Sequence, residues 1–187
     1  TLKHLWQAPF TLQQNVVAGI QAEAEIAKAG GKGRIVAKMN SLLESEVIDA
    51  LYQASQAGVE IDLIIRGVCA LRPGVPGLSE NIRVRSIIGR YLEHHRIFYF
   101  LAGGKETVYL SSADWMDRNF FKRIELAFPI LDPKLKKRVI TEGLKFYLAD
   151  NQQGWEMSSQ GAYLRRRSSR SKPHNAQGEL MVTLGNS

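Results

Sequence analysis

Residues 34–39 (RIVAKM), 45–57 (SEVIDALYQASQA) and 59–65 (VEIDLII) form the stretch that decides the fold. The first segment is rich in β-branched residues and has no clean alternation of polar and apolar positions, which suits a strand covered on both faces. The middle segment has its apolar residues on one face of a helix that ends at Gly58, and the third is a second apolar strand. A strand, a helix and a strand within this length predict a βαβ crossover with two parallel strands.

The flanking residues extend this pattern. Further helices are predicted at residues 11–29 and from Pro133 to about residue 148. Residues 66–80 contain too many glycines and prolines for a regular element and form a predicted loop. Further strands, the second and third of them paired as a hairpin, are predicted at residues 82–87, 95–100, 107–110 and 122–130. Residues 1–150 are therefore expected to form one α/β domain with a mixed sheet flanked by helices.

Composition restricts the class of protein. The 187 residues include 25 Lys and Arg against 18 Asp and Glu, and the net charge of +7 favours anionic partners. The basic residues are dense in residues 151–187, which are expected to form a partly extended C-terminal segment. The lone Cys69 forms no internal disulfide, and no run of about 20 apolar residues or export signal is present. The expected location is the cytoplasm, with a peripheral position at the inner membrane as an alternative.

His94 and Arg96 are candidates for phosphate chemistry. Residues two apart on an extended segment share a face, so the imidazole and the guanidinium are expected to point the same way. A cation that neutralises phosphate oxygens beside an imidazole suits attack on phosphorus. On pattern alone, however, a structural histidine at the start of a strand is the more common case.

Three further polar residues follow or alternate along predicted strands. Arg66 ends the strand at 59–65, at the edge where open α/β sheets place ligands, and could clamp phosphate. Asn119 lies in a polar stretch after the strand at 107–110 and could donate to a phosphoryl group or form part of a turn. Glu125 could orient the histidine or pair with Arg123 or another arginine.

A set of long motifs in a fixed order gives a resemblance to a known family. The motifs are IVAKMNSL (35–42), IRG (65–67), LRPG (71–74), SENIRVRSI (79–87), LEH (92–94) and YLSSADWM (109–116). Together they resemble the C-terminal domain of bacterial polyphosphate kinases over nearly the whole chain. Because the chain begins with Thr1 and resembles one domain of that family, it is expected to be a fragment of a longer protein.

The resemblance implies a phospholipase D-like half, two of which contribute a histidine each to one site. It assigns the second histidine to His94 and nucleotide phosphate binding to Arg66, with Asn119 and Glu125 as supporting polar residues. Arg96 stands where the phospholipase D pattern has lysine, which retains the charge.

The implied reaction is reversible transfer of the γ-phosphoryl group of ATP to polyphosphate through a phosphohistidine in the other half. The implied partners are ATP, ADP, polyphosphate and the N-terminal remainder of the polypeptide, with Mg²⁺ held mainly by that remainder and the nucleotide. A homo-oligomer is expected for the full-length enzyme, and the isolated fragment is expected to be nearly inactive.

Two alternatives to a half-site remain open. One is a non-catalytic basic module that binds polyphosphate or nucleic acid through residues 165–172, although the scarcity of aromatic residues there gives no expectation of specific nucleic-acid binding. The other is a homodimeric phospholipase D-like enzyme that pairs two copies of His94 across a twofold axis.

Overall fold

The computed structural model describes residues 4–166 and 172–185. Strands are assigned as β1 Trp6–Ala8, β2 Arg34–Met39, β3 Glu60–Ile65, β4 Ile82–Ile87, β5 Arg96–Phe100, β6 Thr107–Ser111, β7 Glu125–Pro129, β8 Gly154–Met157 and β9 Tyr163–Arg165. Helices are assigned as α1 Leu12–Lys28, α2 Ser45–Gln56, α3 Asp117–Phe121, α4 Pro133–Arg138, α5 Phe146–Ala149 and α6 Ala176–Gly185. A π-helical segment, Val139–Lys145, joins α4 to α5 without a break, so residues 133–149 form one helix.

The strands of the described residues form one mixed sheet in the order β1-β7-β6-β5-β2-β3-β4-β8-β9. Its centre is parallel, because β2 pairs with β3 and β3 with β4 in the same direction. The remaining pairs are antiparallel. The predicted βαβ crossover, the hairpin of β5 and β6, and the fold class of a mixed sheet flanked by helices are confirmed.

Strand β2 shows why the central sequence lacks polar alternation. Ile35, Ala37 and Met39 belong to the core between the sheet and helices α1 and α2. Val36, between them on the strand, belongs to a second core beneath the 133–149 helix. Because helices cover both faces, every position of this strand except the first is buried.

The residues after 150 are more regular than the expected extended segment. Strand β8 pairs antiparallel with β4, β9 pairs with β8, and both extend the sheet that residues 1–150 begin. Asp150 is buried and accepts hydrogen bonds from the backbone amides of Gln152, Gln153 and Ala176, which joins this segment to α6. The predicted division at residue 150 thus falls between elements of one sheet. Residues 167–171 of the basic run lie outside the described residues.

One smaller difference concerns the region before the 133–149 helix. The predicted strand at 122–130 begins only at Glu125, and residues 117–121 form the short helix α3.

Gly103 and Gly104 lie in a short 3-10 turn between β5 and β6, both with positive φ, which glycine adopts without strain. In the part of the chain that the structure describes, no helix is long and apolar enough to cross a membrane.

The central core provides a test of this packing. Phe98 on β5 is fully buried, and its ring lies 5.0 Å from that of Trp115. We expect Phe98→Ala to lower the free energy of unfolding in urea by about 3–5 kcal/mol, because it removes buried surface and leaves a cavity. The control is Phe10→Ala, since Phe10 is 71% exposed, and it is expected to change the free energy by about 0.5 kcal/mol or less. Similar losses in the two variants would contradict the packing described.

Candidate active site

The sheet topology brings polar residues from three strands to one edge. Met39 and Ile65 pair at the carboxyl ends of β2 and β3, and Asn40 and Arg66 follow them. Strand β5 enters antiparallel beside β2, which places Arg96 at the same edge. Parallel strands ending together leave a crevice where open α/β sheets bind ligands.

Arg66 and His94, both predicted site residues, are in contact. Nε of Arg66 donates a hydrogen bond shared between Oδ1 of Asn40 and the backbone oxygen of Glu93, each at 2.7 Å. Nη2 of Arg66 lies 3.4 Å from Nδ1 of His94. The close approach of the two strand ends requires Gly67, because a Cβ there would lie 2.8 Å from the backbone oxygen of Asn40.

The contact with Arg66 indicates which ring nitrogen of His94 carries the proton. A guanidinium has only donors, so the tautomer of His94 that fits this contact accepts at Nδ1 and carries its proton on Nε2. Among residues 4–166 and 172–185, neither Nε2 of His94 nor Nη1 of Arg66 has a hydrogen-bond partner. The His94 side chain is exposed. Two unused donors of different kinds are thus available to an oxygen-rich ligand.

Arg96 is held differently from the expected arrangement. Its Nε and Nη2 donate to the two carboxylate oxygens of Asp114 at 3.2 and 3.1 Å, and Nη1 donates to the backbone oxygen of His94 at 2.7 Å. The guanidinium therefore holds the backbone of His94, and among the described residues it forms no hydrogen bond with the His94 ring. A bidentate contact of this kind fixes orientation as well as charge.

Asp114 connects Arg96 to the end of β2. Its Oδ1 accepts a hydrogen bond of 2.7 Å from the backbone amide of Asn40, and its Oδ2 accepts one of 3.2 Å from the Asn40 side chain. Burial alone would raise the pKa of this carboxyl, but the hydrogen bonds from Arg96 and Asn40 hold it below its ordinary value. Asp114 is therefore a charged residue that positions Arg96 directly and Arg66 through Asn40.

A second buried network holds the residue before His94. The Glu93 carboxylate accepts hydrogen bonds from Lys38 Nζ, from Tyr147 Oη at 2.6 Å and from Gln177 Nε2 at 3.0 Å. Lys38 also lies 4.2 Å from the centre of the Tyr147 ring. Burial would raise the pKa of Glu93, but Lys38 and the other donors lower it below its ordinary value.

Neither Lys38 nor Glu93 is predicted from the sequence as a site residue. One signal was available, because Lys38 interrupts an apolar strand expected to be covered on both faces. A buried lysine requires a charged or polar partner. The partner itself lies 55 residues away along the chain and is decided only by the fold.

Asn119 and Glu125 come together, but not on His94. Nδ2 of Asn119 donates to Glu125 Oε1 at 2.7 Å, and the Ser112 hydroxyl donates to Glu125 Oε2. Both Asn119 and Glu125 are buried. In residues 4–166 and 172–185, Glu125 forms no hydrogen bond or ion pair with His94, Arg123 or another arginine, so none of its expected partners is observed. The reason is local: helix α3 turns Asn119 back onto the start of β7.

The same described residues contain no group of three or more His, Cys, Asp or Glu side chains that could hold a metal ion. The side chains around Arg66 and His94 that carry free donors are cationic or neutral, so they fit anionic oxygens and not a divalent cation.

The chain is similar to known proteins over nearly its whole length. The family model described as "Polyphosphate kinase C-terminal domain 2" matches residues 5–177. The chain belongs to this family. A curated polyphosphate kinase from Burkholderia cenocepacia strain HI2424 is 66% identical over 182 residues, which cover 97% of this chain and 26% of that relative. This polyphosphate kinase domain therefore spans about a quarter of the length of the curated relatives it matches.

Two solved structures are similar to this domain. The polyphosphate kinase of Porphyromonas gingivalis matches all of this domain and 28% of its own chain, with 42% sequence identity and a TM-score of 0.95. Nuc from Salmonella typhimurium, a phospholipase D family member, matches 82% of this domain and 96% of its own chain, with 16% identity and a TM-score of 0.58. The predicted family and the phospholipase D-like fold are confirmed.

The lowered pKa values of Asp114 and Glu93 make the free energy of unfolding depend on pH in the acidic range. Folded, both carboxyls bind protons less readily than in the unfolded chain, so they stabilise the fold fully above their ordinary pKa values of 3.8 and 4.5. That stability is lost as the pH falls through the lowered folded values. We expect the free energy of unfolding in urea to decrease below about pH 5.

Asp114→Asn tests the contribution of this carboxylate. The variant is expected to lose about 2 kcal/mol of unfolding free energy near neutral pH, and to lose less than the parent on acidification. Asp49→Asn is the control, because Asp49 is exposed on α2, and its effect is expected to be about 0.5 kcal/mol or less. An acid dependence as steep in Asp114→Asn as in the parent would contradict the assignment.

Proposed function

We propose that this chain supplies one half of the active site of a polyphosphate kinase, which transfers the γ-phosphoryl group of ATP reversibly to polyphosphate. The observation that carries the proposal is the contact between Arg66 and His94, with a free N–H of each available at one edge of the sheet. Family membership supports the reaction class, because the curated relatives and a solved structure bear the name polyphosphate kinase.

The proposed reaction has two transfers. In the first, the bond between the γ-phosphorus of ATP and its bridging oxygen breaks, a phosphorus–nitrogen bond forms at a histidine in the remainder of the enzyme, and ADP leaves. In the second, a terminal oxygen of polyphosphate takes the phosphoryl group and the histidine is released. Phosphoryl transfer depends mainly on positioning and on stabilising charge on the phosphoryl oxygens.

In this scheme His94 and Arg66 assist the histidine that is phosphorylated. The Nε2–H of His94 can donate to a phosphoryl oxygen or return a proton to a leaving oxygen, as a general acid does. A nucleophile needs the lone pair instead, which in this arrangement lies on Nδ1 and faces Arg66. The planar guanidinium of Arg66 can bind a further phosphate oxygen through Nη1. His94 is therefore assigned as partner of the phosphorylated histidine and not as the first acceptor.

The remaining predicted residues act through others. Arg96 holds the backbone of His94 and is assigned as a positioning residue, together with Asp114 and Glu93. Asn119 and Glu125 form a buried pair that supports the turn after β6. In these assignments Arg66 and His94 contact the ligand, and Arg96 acts only through His94.

The proposal extends to the surroundings of the enzyme. Its substrates are ATP, ADP and polyphosphate, its partner is the remainder of the longer polypeptide, and its location is the cytoplasm. In this proposal magnesium is held mainly by that remainder and by the nucleotide. Assembly of the complete enzyme into a homo-oligomer stays a prediction.

The half-site predicts complementation. We expect no ATP-dependent polyphosphate synthesis from this chain alone, and synthesis when it is combined with the remainder of a 66% identical polyphosphate kinase. In the mixture, His94→Ala is expected to reduce the rate by about 10²–10⁴-fold, because a positioned proton donor is lost. His95→Ala, at the neighbouring histidine, is the control and is expected to retain synthesis. Synthesis by this chain alone would contradict the half-site and favour a homodimeric site.

The assignment of Arg66 predicts an effect on nucleotide affinity. In the same mixture, Arg66→Ala is expected to weaken ATP binding by about tenfold or more, and Arg66→Lys by less, because lysine retains the charge without the fork. Calorimetric titration measures both. Arg138→Ala removes the same charge from a surface pair with Glu142 and serves as the control. An ATP affinity unchanged by Arg66→Ala would remove Arg66 from the site.

A further inference from the structure

A second concave surface lies at the end of the β5–β6 hairpin opposite His94. Phe100 pairs with Thr107, and the turn between them contains Lys105 and Glu106. This turn and the 133–149 helix enclose a cavity of about 580 Å³. None of its lining residues belongs to the constellation around Arg66 and His94.

The cavity is strongly cationic. Lys105, Lys136, Lys137 and Lys145 line it, and Glu106 is its one lining carboxylate. In residues 4–166 and 172–185, none of these lysines forms a salt bridge. Several like charges around a concave surface attract anions more strongly than scattered surface lysines do.

Glu106 leaves an excess of positive charge in this cavity, because its single carboxylate stands against four ammonium groups. Its Oε1 accepts a hydrogen bond of 2.8 Å from the Tyr99 hydroxyl, and its backbone oxygen accepts one of 2.9 Å from Lys136 Nζ. Lys136 is thereby positioned at the cavity wall. Lys105, Lys137 and Lys145 are exposed, and their ammonium groups are available to a ligand.

The helix places two of these lysines in a row that leads toward the candidate active site. Lys137, Thr141 and Lys145 follow at four-residue steps, so they lie along one side of the helix. The π-helical segment 139–145 lies within this row, and such segments are frequent at functional sites. Two residues after Lys145, Tyr147 donates to Glu93, the residue before His94.

The distance between the two surfaces indicates which kind of ligand could contact both. Four residue steps along β5 separate Arg96 from Phe100, which corresponds to about 13 Å. A chain of phosphates carries negative charge along its whole length, so one molecule can contact both surfaces. Lysine suits such a ligand, because its flexible ammonium group binds phosphate without the fixed geometry that arginine imposes.

We propose that the lysine cavity, lined by Lys105, Lys136, Lys137 and Lys145, is an auxiliary binding site for the polyphosphate chain. It holds phosphates distant from the reacting end, which raises the effective concentration of that end near His94. The inference rests on the proposed function, since it takes polyphosphate as the substrate. It adds a dependence of affinity on chain length that the contacts of Arg66 and His94 do not supply.

The test compares long-chain polyphosphate with tripolyphosphate, which is too short to reach both surfaces. Binding of each to this chain is measured by calorimetry for K137Q/K145Q and for the control K28Q/K32Q, which removes the same charge from the region of α1. We expect K137Q/K145Q to weaken long-chain binding by about fivefold relative to the control. Tripolyphosphate binding is expected to be equal in the two variants. Thermal unfolding of both variants confirms that they fold.

Other outcomes overturn the inference. Equal losses in K137Q/K145Q and K28Q/K32Q would show a general effect of net charge, and an equal loss for tripolyphosphate would make the lysines part of the first site. Lysine-dependent binding to phosphatidylglycerol vesicles, with long-chain binding unchanged, would assign the cavity to a membrane surface. Measuring Arg66→Ala as well separates the two proposals. If tripolyphosphate binding requires Arg66 but affinity does not depend on chain length, only the auxiliary site is contradicted. If tripolyphosphate binding does not require Arg66, the proposed function is contradicted.

Discussion

Burial of β2 on both faces is the constraint on which the rest of the structure depends. The strand pairs parallel with β3 on one side and antiparallel with β5 on the other, so its backbone groups are hydrogen-bonded in the sheet. Helices α1 and α2 cover one face, and the 133–149 helix covers the other. The strand ends at Met39, and the polar residues next to it meet where both layers of helices leave an opening.

The same burial creates the electrostatic arrangement at the site. Lys38 points into the layer beneath the 133–149 helix, where a charge without a partner would be costly. Glu93 supplies the partner, and Tyr147 and Gln177 complete the hydrogen bonds of its carboxylate. Removal of one member of such a pair is more disruptive than the net value of the pair suggests. The segment carrying His94 is therefore held by a network that extends into the core.

The likeness to a phospholipase D family member concerns the fold, because that structure shares only 16% of its sequence with this chain. A shared fold does not imply a shared reaction, since function resides in the site. In this domain the site joins a histidine to a guanidinium that has a free N–H. The lysine cavity adds a second cationic surface on the same scaffold.

The sequence alone determined most of the fold, because local patterns report it directly. The apolar run at 34–39, the glycine stop at Gly58 and the Gly-rich turn before β6 each act over a few residues. The family motifs likewise located Arg66 and His94. Tertiary structure alone decided what the polar residues contact: Arg96 binds Asp114 and the backbone of His94, and Glu125 binds Asn119. The physical reason is that side-chain partners depend on strand order and helix placement, which join residues far apart in the chain, as Lys38 and Glu93 are joined across 55 positions.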